Sequence, residues 1–332
     1  MPKKKIRFHD HVHGAIEFDT ALFDDFVIQK SDGFPTYLFA CVVDDHEMQI
    51  THVIRGDDHI SNTPRQILIY EAFGWTPPEW AHLPLVFGSD RTPLSKRHAA
   101  VSITAYRKEG YLPEGIMNYL ALLGWSPGGN KEFLPQEELV REFRLDQIHS
   151  TNACFDLEKL KWLNAEHIRL LSDSDYVDRV HQFFAAHHPE LYANRQEQLS
   201  KVALLYKTRV RTFQELVEQA DFFFRDEIKF DPKAVEKHLK DSTFREHMDH
   251  WRSTLAKEGD FSNPEALEVL LRKTAGKLGV DARVLIHSTR VSVSGRMVTP
   301  GLFETLVILG KELVLKRLQY AVEHFSELNN SR

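Results

Sequence analysis

The hydrophobic rhythm of the chain changes once. Up to about residue 100, short apolar runs alternate with charged turns; beyond it, apolar residues recur every three or four positions. In the first part, residues 14–30 read as strand-rich and end in Phe26-Val27-Ile28-Gln29-Lys30. Ser31-Asp32-Gly33 follows, then the almost wholly apolar Tyr37-Leu38-Phe39-Ala40-Cys41-Val42-Val43. Asp-Gly between two β-prone runs predicts a hairpin, and the apolar run predicts a strand buried on both faces. Ile50–Ile54 is a further short strand, ending at Arg55-Gly56-Asp57-Asp58-His59. A helix is expected to start at Ser61, Asn62 or Thr63, with Pro64 in its first turn and Gly74 closing it. Leu83–Phe87 is the next expected strand. It runs into the polar loop Gly88-Ser89-Asp90-Arg91-Thr92-Pro93-Leu94-Ser95-Lys96-Arg97-His98. Strand, charged turn, helix, strand, charged loop is the order of a βαβ unit in a parallel sheet.

The second rhythm predicts helices. Leu112-Pro113-Glu114 opens one with Ile116, Tyr119, Leu120 and Leu123 on one stripe, closed at Gly124. Leu134-Pro135 to Phe143 reads as another, and Phe155–Asn164 as an amphipathic helix carrying Lys159 and Lys161, with Arg169 a few residues on. From residue 174 onward the pattern is helical, interrupted by a β-prone Val291-Ser292-Val293 before Thr299-Pro300-Gly301.

Composition narrows the function classes. In 332 residues the formal charge is −6, so no global basic field marks a nucleic-acid partner, and RNA binding requires local patches. Leu204–Arg211 is such a patch, with Lys207, Arg209 and Arg211 and no acid. The two cysteines, Cys41 and Cys154, are too few for a disulfide framework or a Cys-based zinc site and are expected in the core. His11 and His13 would alternate on one face of a strand, but no third ligand stands at a standard spacing, so no protein-bound zinc is expected. The lysines at the N-terminus are not followed by an apolar stretch, and no run is long enough to span a membrane. A cytoplasmic location is expected, with no membrane partner. Arg55, Asp58 and Lys96 all stand just past strand ends, where open α/β sheets bind ligands. A lysine on a loop after a strand is suited to oxygens that gain charge in phosphoryl or adenylyl transfer.

These stretches together resemble the bacterial glutamyl-tRNA synthetase family of class I aminoacyl-tRNA synthetases. Ser31–Tyr37, Val42–His46, Thr51–His59 and Asn62–Gln66 are similar to its catalytic core. Leu94-Ser95-Lys96-Arg97 is similar to its Lys-Met-Ser-Lys-Ser loop. Tyr111–Glu114, Asn118–Trp125 and Phe155–Leu160 resemble its stem-contact region, and Thr299–Glu304 its anticodon-binding region. The resemblance implies an α/β plus all-α fold. The expected order is the end of an inserted domain with the second half of a class I Rossmann-type catalytic domain (1–106), a stem-contact region (107–173) and a helical anticodon-binding domain (174–332). It implies a monomeric ligase of translation: glutamate attacks the α-phosphate of ATP, which comes with Mg²⁺, and tRNA(Glu) then takes the glutamyl group.

The resemblance also implies residue roles. Lys96, between Ser95 and Arg97, would stabilise the departing phosphates. Tyr37 and Arg55 would hold glutamate, an arginine being able to bond both carboxylate oxygens. Asp58 and His59 would line the nucleotide pocket, Lys159 and Arg169 would contact the tRNA backbone, and Arg209 would read the last anticodon base. Two departures stand out. No His-Ile-Gly-His-type motif occurs, because the resemblance begins partway through the family's protein, so the chain reads as N-terminally truncated. Pro93 replaces the first lysine of the loop. The alternative reading is a non-catalytic tRNA-binding module, or a fragment that needs the missing half in trans.

Overall fold

The structure, a computed structural model, describes residues 2–88, 90–94, 102–193, 195–241 and 243–326. The chain forms two compact units: residues 1–107 with 112–167, and residues 108–111 with 168–332.

In the first unit, β1 (Lys5–Asp10) and β2 (Gly14–Asp19) are an antiparallel pair joined by a turn at residues 11–13. Helix α1 (Tyr37–Glu47) leads to β3 (His52–Gly56). Helix α2 (Thr63–Phe73) then crosses over to β4 (Glu79–Leu83), which lies parallel to β3 with His52 opposite Glu79 and Gly56 opposite Leu83. β1 closes on the other side of β4 with Asp10 opposite Trp80, and the strand order is β2-β1-β4-β3. A βαβ unit is therefore present, but its second strand is Glu79–Leu83 rather than the expected Leu83–Phe87. Pro64 sits in the first turn of α2, and Gly74 adopts the left-handed conformation that ends it. Ile6, Val42, Ile67, Leu68, Ile69, Tyr70 and Trp80 form the core that joins sheet and helices.

Four expectations require correction. Tyr37–Val43 is helix, not strand. Thr36 is extended, and its carbonyl accepts from the Phe39 and Ala40 amides, so the apolar run starts a turn of helix that Asp44 to Glu47 continue. A continuous apolar run is compatible with a buried strand or a buried helix face. The hairpin expected at Asp32-Gly33 shrinks to one isolated bridge, Gln29 with Pro35, and Phe26–Ile28 forms no strand. The strand expected over Leu83–Phe87 is split at Pro84, which has no N–H for a ladder. Val86–Phe87 becomes β5, paired in parallel with β6 (Ala153–Cys154) in a separate two-stranded sheet. The cysteines are also not core residues: Cys41 is half-buried and Cys154 exposed, its thiol on the Gly88 carbonyl.

Helices complete this unit: α3 (Ile103–Lys108), α4 (Pro113–Ala121), α5 (Gln136–Glu142) and α6 (Leu157–Leu170), the last residues of α3 and α6 belonging to the second unit. The stripe on α4 holds at Ile116 and Tyr119, which are buried, whereas Leu120 turns outward. Asn118 is buried and ties three segments together. Its Oδ1 accepts from the Leu134 amide (2.9 Å) and lies 3.1 Å from His167 Nε2, and its Nδ2 donates to the Glu132 carbonyl.

The second unit is helical throughout its described residues. Its helices are α7 (Asp173–His187), α8 (Pro189–Tyr192), α9 (Gln196–Tyr206), α10 (Phe213–Ala220), α11 (Pro232–His238), α12 (Phe244–Glu258), α13 (Pro264–Leu278), α14 (Ala282–Ser294), α15 (Leu302–Leu309) and α16 (Lys311–Glu323). The β-prone Val291-Ser292-Val293 lies inside α14, with all three residues buried, so tertiary packing overrides local propensity there. Buried Arg317 on α16 donates to the carbonyls of Phe222, Arg225 and Val293, which cross-links three segments of the unit.

Candidate functional site

The carboxyl ends of β3 and β4 bring Arg55 and His82 side by side. Arg55 is half-buried and almost fully engaged. Its Nη2 donates to Thr63 Oγ1 (2.8 Å) and Gln66 Oε1 (2.7 Å), and its Nε donates to His82 Nε2 (3.2 Å). Arg55 Nε is only a donor, so His82 Nε2 accepts and the imidazole proton sits on Nδ1. There it faces Asp10 Oδ2 at 2.6 Å, both side chains being fully buried. Burial pushes the His82 pKa below the ordinary imidazole range, which keeps the ring in this neutral form. Burial alone would raise the Asp10 carboxyl. Hydrogen bonds from His82 and from the Val12, His13 and His82 amides outweigh it and hold the group below its usual range.

Tyr37, at the start of α1, reaches this cluster. Its hydroxyl is 3.4 Å from His59 Nδ1, and Tyr37, Cys41 and Asp45 face the guanidinium of Arg55. Burial lowers the pKa of Arg55, and the same three groups oppose it. His59 is held by Asn62 Nδ2 at 3.1 Å, with Asp58 beside it at 3.6 Å. The Asp58 carboxylate folds back over Gly56, where a Cβ would stand 2.5 Å from its Oδ1 and turn that side chain away. Four of the predicted residues, Tyr37, Arg55, Asp58 and His59, are thus close together. Asp10, Thr63, Gln66 and His82 were not read from the sequence. A readable signal did exist at His82: one polar residue at the end of a strand that is otherwise apolar inside the sheet.

Ser95, Lys96 and Arg97 lie outside the described residues. The loop that leads to them is tight. Gly88 N donates to Thr92 O, Leu94 N donates to Val86 O, and Pro93 forms an antiparallel bridge with Phe87. Pro93 occupies the position between those two bonds, where a backbone N–H has no ladder partner, so its missing donor disturbs nothing.

The remaining predicted residues, Lys159, Arg169 and Arg209, are carried by other elements. Lys159 on α6 is ion-paired with Glu132 (2.7 Å) and borders a cavity of about 250 Å³ shared with Tyr119, Gly124, His149 and Asn152. Arg169 is exposed near the end of α6. Arg209 is exposed on the turn after α9, and its charge lowers the pKa of Arg290, already lowered by burial. Arg290 in turn holds the Thr299-Pro300 carbonyls. Arg290 was not singled out from the sequence; it directly precedes the run that reads as β-prone, and its partners Thr299 and Pro300 are brought to it by the fold. Among the described residues no helix is long and apolar enough to cross a membrane.

Residues 1–162 match the family of class I tRNA synthetases (E and Q), catalytic domain, and residues 175–322 match the anticodon binding domain family. A glutamate–tRNA ligase from Fervidobacterium nodosum is 40% identical over 329 residues, covering 99% of this chain and 69% of the relative. The chain belongs to the glutamate–tRNA ligase family. A second relative, glutamate–tRNA ligase 2 of Caldicellulosiruptor saccharolyticus, is 41% identical over 320 residues, 96% of this chain and 65% of its own length. The chain spans about 65% of the length of such curated relatives. The crystal structure of a glutamate tRNA ligase from Elizabethkingia meningosepticum, in complex with its amino acid, superposes with a TM-score of 0.83 at 31% identity, covering 97% of this chain and 67% of that one. The α/β unit and the helical unit are those expected of this synthetase family.

Proposed function

We propose that this chain carries the glutamate-binding, phosphate-facing and tRNA-binding parts of a glutamate–tRNA ligase. The reaction is ATP-dependent attachment of L-glutamate to tRNA(Glu) through glutamyl-adenylate, with Mg²⁺ arriving on the triphosphate. Family membership supports the reaction class. The single observation that carries the substrate assignment is the Arg55 cluster: a planar cation held by Thr63, Gln66 and His82 at a strand end, with a tyrosine hydroxyl beside it. With Nε and Nη2 engaged, the guanidinium has its Nη1 group left to meet a carboxylate oxygen. In this reading Arg55 and Tyr37 bind glutamate, while Asp58 and His59 border the nucleotide. Lys96, flanked by Ser95 and Arg97, neutralises charge on the departing pyrophosphate.

Residues 107–173 act as the stem-contact region between a catalytic part (1–106) and an anticodon-binding part (174–332). Lys159 and Arg169 contact the tRNA backbone, Lys159 exchanging Glu132 for phosphate, and Arg209 reads the anticodon. Pro93 in place of a lysine favours a second reading, tRNA binding without autonomous activation. ATP–pyrophosphate exchange with glutamate and tRNA present separates the two. Exchange that is lost in Lys96→Ala supports the ligase reading. No exchange, with tRNA still shifted in a gel, supports the second.

A further inference from the structure

The sequence pairs His11 with His13, but the fold separates them. His13 turns to Asp57 (2.8 Å), while His11 meets two residues far away in the chain, Glu79 and His52. Glu79 opens the central strand β4. His52 opens β3 directly opposite it in the ladder, and His11 follows the last residue of β1, its amide donating to the Trp80 carbonyl at 2.9 Å. Three adjacent strands thus fix three side chains at one edge of the sheet. Arg55 stands at the other end of β3.

We propose that His11, His52 and Glu79 bind a divalent transition-metal ion with the ligand preference of Zn²⁺. The His11 Nε2 and Glu79 Oε2 atoms are 2.6 Å apart, and His52 Nε2 lies 3.6 Å from the same oxygen. One ligand atom from each residue lies within 4.8 Å of the other two. Ligands at about 2.0–2.1 Å around a tetrahedral ion stand roughly 3.3 Å from one another, so small side-chain rotations admit the ion. His52 Nδ1 is taken by Thr51 Oγ1 (3.0 Å), which orients the ring with Nε2 toward the carboxylate, as outer partners of metal-binding histidines do. Two imidazoles and one carboxylate select zinc-like ions over Mg²⁺ or Ca²⁺, which prefer all-oxygen sets. Three protein ligands leave a fourth position for water or an incoming group.

This site is independent of the proposed ligase activity, and its test is direct. The untagged chain, freed of metal by a chelator, is titrated with ZnCl₂ in a calorimeter. One tight equivalent is expected, weakened about tenfold or more by His11→Asn, His52→Asn or Glu79→Gln and unchanged by His13→Asn. Cobalt chloride gives a second readout, an intense visible absorption from a four-coordinate ion that His52→Asn abolishes. The three side chains are partly exposed, so the variants are expected to keep the wild-type circular dichroism spectrum. The proposal falls if the triple variant binds zinc as tightly as the wild type. It also falls if His13→Asn weakens binding as much as His11→Asn.

Discussion

At the scale of single residues, Asp10 controls the most through the fewest atoms. It accepts from the Val12, His13 and His82 amides and from the His82 ring, and has no exposure to water. Asp10→Ala leaves these donors without an acceptor and is expected to cost about 3 kcal/mol or more, measured by urea unfolding. His82 adds a pH dependence. Burial disfavours its protonated form, so the unfolded chain binds that proton more tightly than the folded chain. Its contribution to stability is complete above about pH 6.5, the ordinary imidazole value, and is lost as pH falls from there through the lower folded pKa. Asp10 has the same sign in a lower window, below about pH 4. Melting temperature is therefore expected to drop between pH 7 and pH 5.5. The drop should be smaller in His82→Asn but still present, since burial also lowers His167, His238 and His287. A slope identical in His82→Asn would remove His82 from the account.

At the scale of elements, turns and helix ends decide which replacements the fold accepts. Gly295 ends α14 at φ +72, and a Cβ there would collide with the Lys229 carbonyl. Gly295→Ala thus combines a left-handed backbone with a clash and is expected to lower stability by about 1–3 kcal/mol, read from thermal or urea melts. Pro93 is the opposite case. Because its position has no ladder partner, Pro93→Lys is expected to leave the melting temperature unchanged; under the ligase reading it raises pyrophosphate exchange by restoring a cation to the loop. The same logic explains what the sequence revealed. Gly74 and Pro64 act locally, so the limits of α2 were readable. Tyr37–Val43 was not, because only the partners of an apolar run decide between strand and helix, and those partners are distant in sequence. Arg55, Tyr37, Asp58 and His59 were legible through motifs. Asp10 was not, and although Gln66 lies in the family-like stretch Asn62–Gln66 and His82 at a strand end, their hold on Arg55 arises only from packing across the strands and a helix.

At the scale of the whole molecule, an acidic chain presents cations in separate places: Lys159 on α6, Arg169 beyond it, and Arg209 on the turn after α9. If the first two neutralise phosphates, Lys159→Ala and Arg169→Ala weaken all tRNAs alike and each reduce the slope of log affinity against log salt by about one. Arg209→Ala is expected instead to weaken tRNA(Glu) selectively, with the slope little changed. Filter binding at several salt concentrations, with cognate and non-cognate tRNA, distinguishes the two patterns. Equal loss for both tRNAs in Arg209→Ala would assign that arginine to the backbone. Arg317, by contrast, is spent inside the helical unit: Arg317→Met abandons three buried carbonyls and is expected to lower stability by about 3 kcal/mol or more without a selective effect on tRNA.

The grip of Thr63, Gln66 and His82 on Arg55 has a consequence in entropy. A free arginine side chain gives up about 2 kcal/mol of rotamer freedom when it is immobilised, a cost that ordinarily falls on the binding step. Here folding has already taken that freedom, and the guanidinium plane waits in one orientation. An anion that meets its remaining edge is therefore selected by shape as well as charge. Loosening the grip, by Gln66→Ala for example, would spread the fork over many orientations and blunt that selection, even though every charge in the site remains.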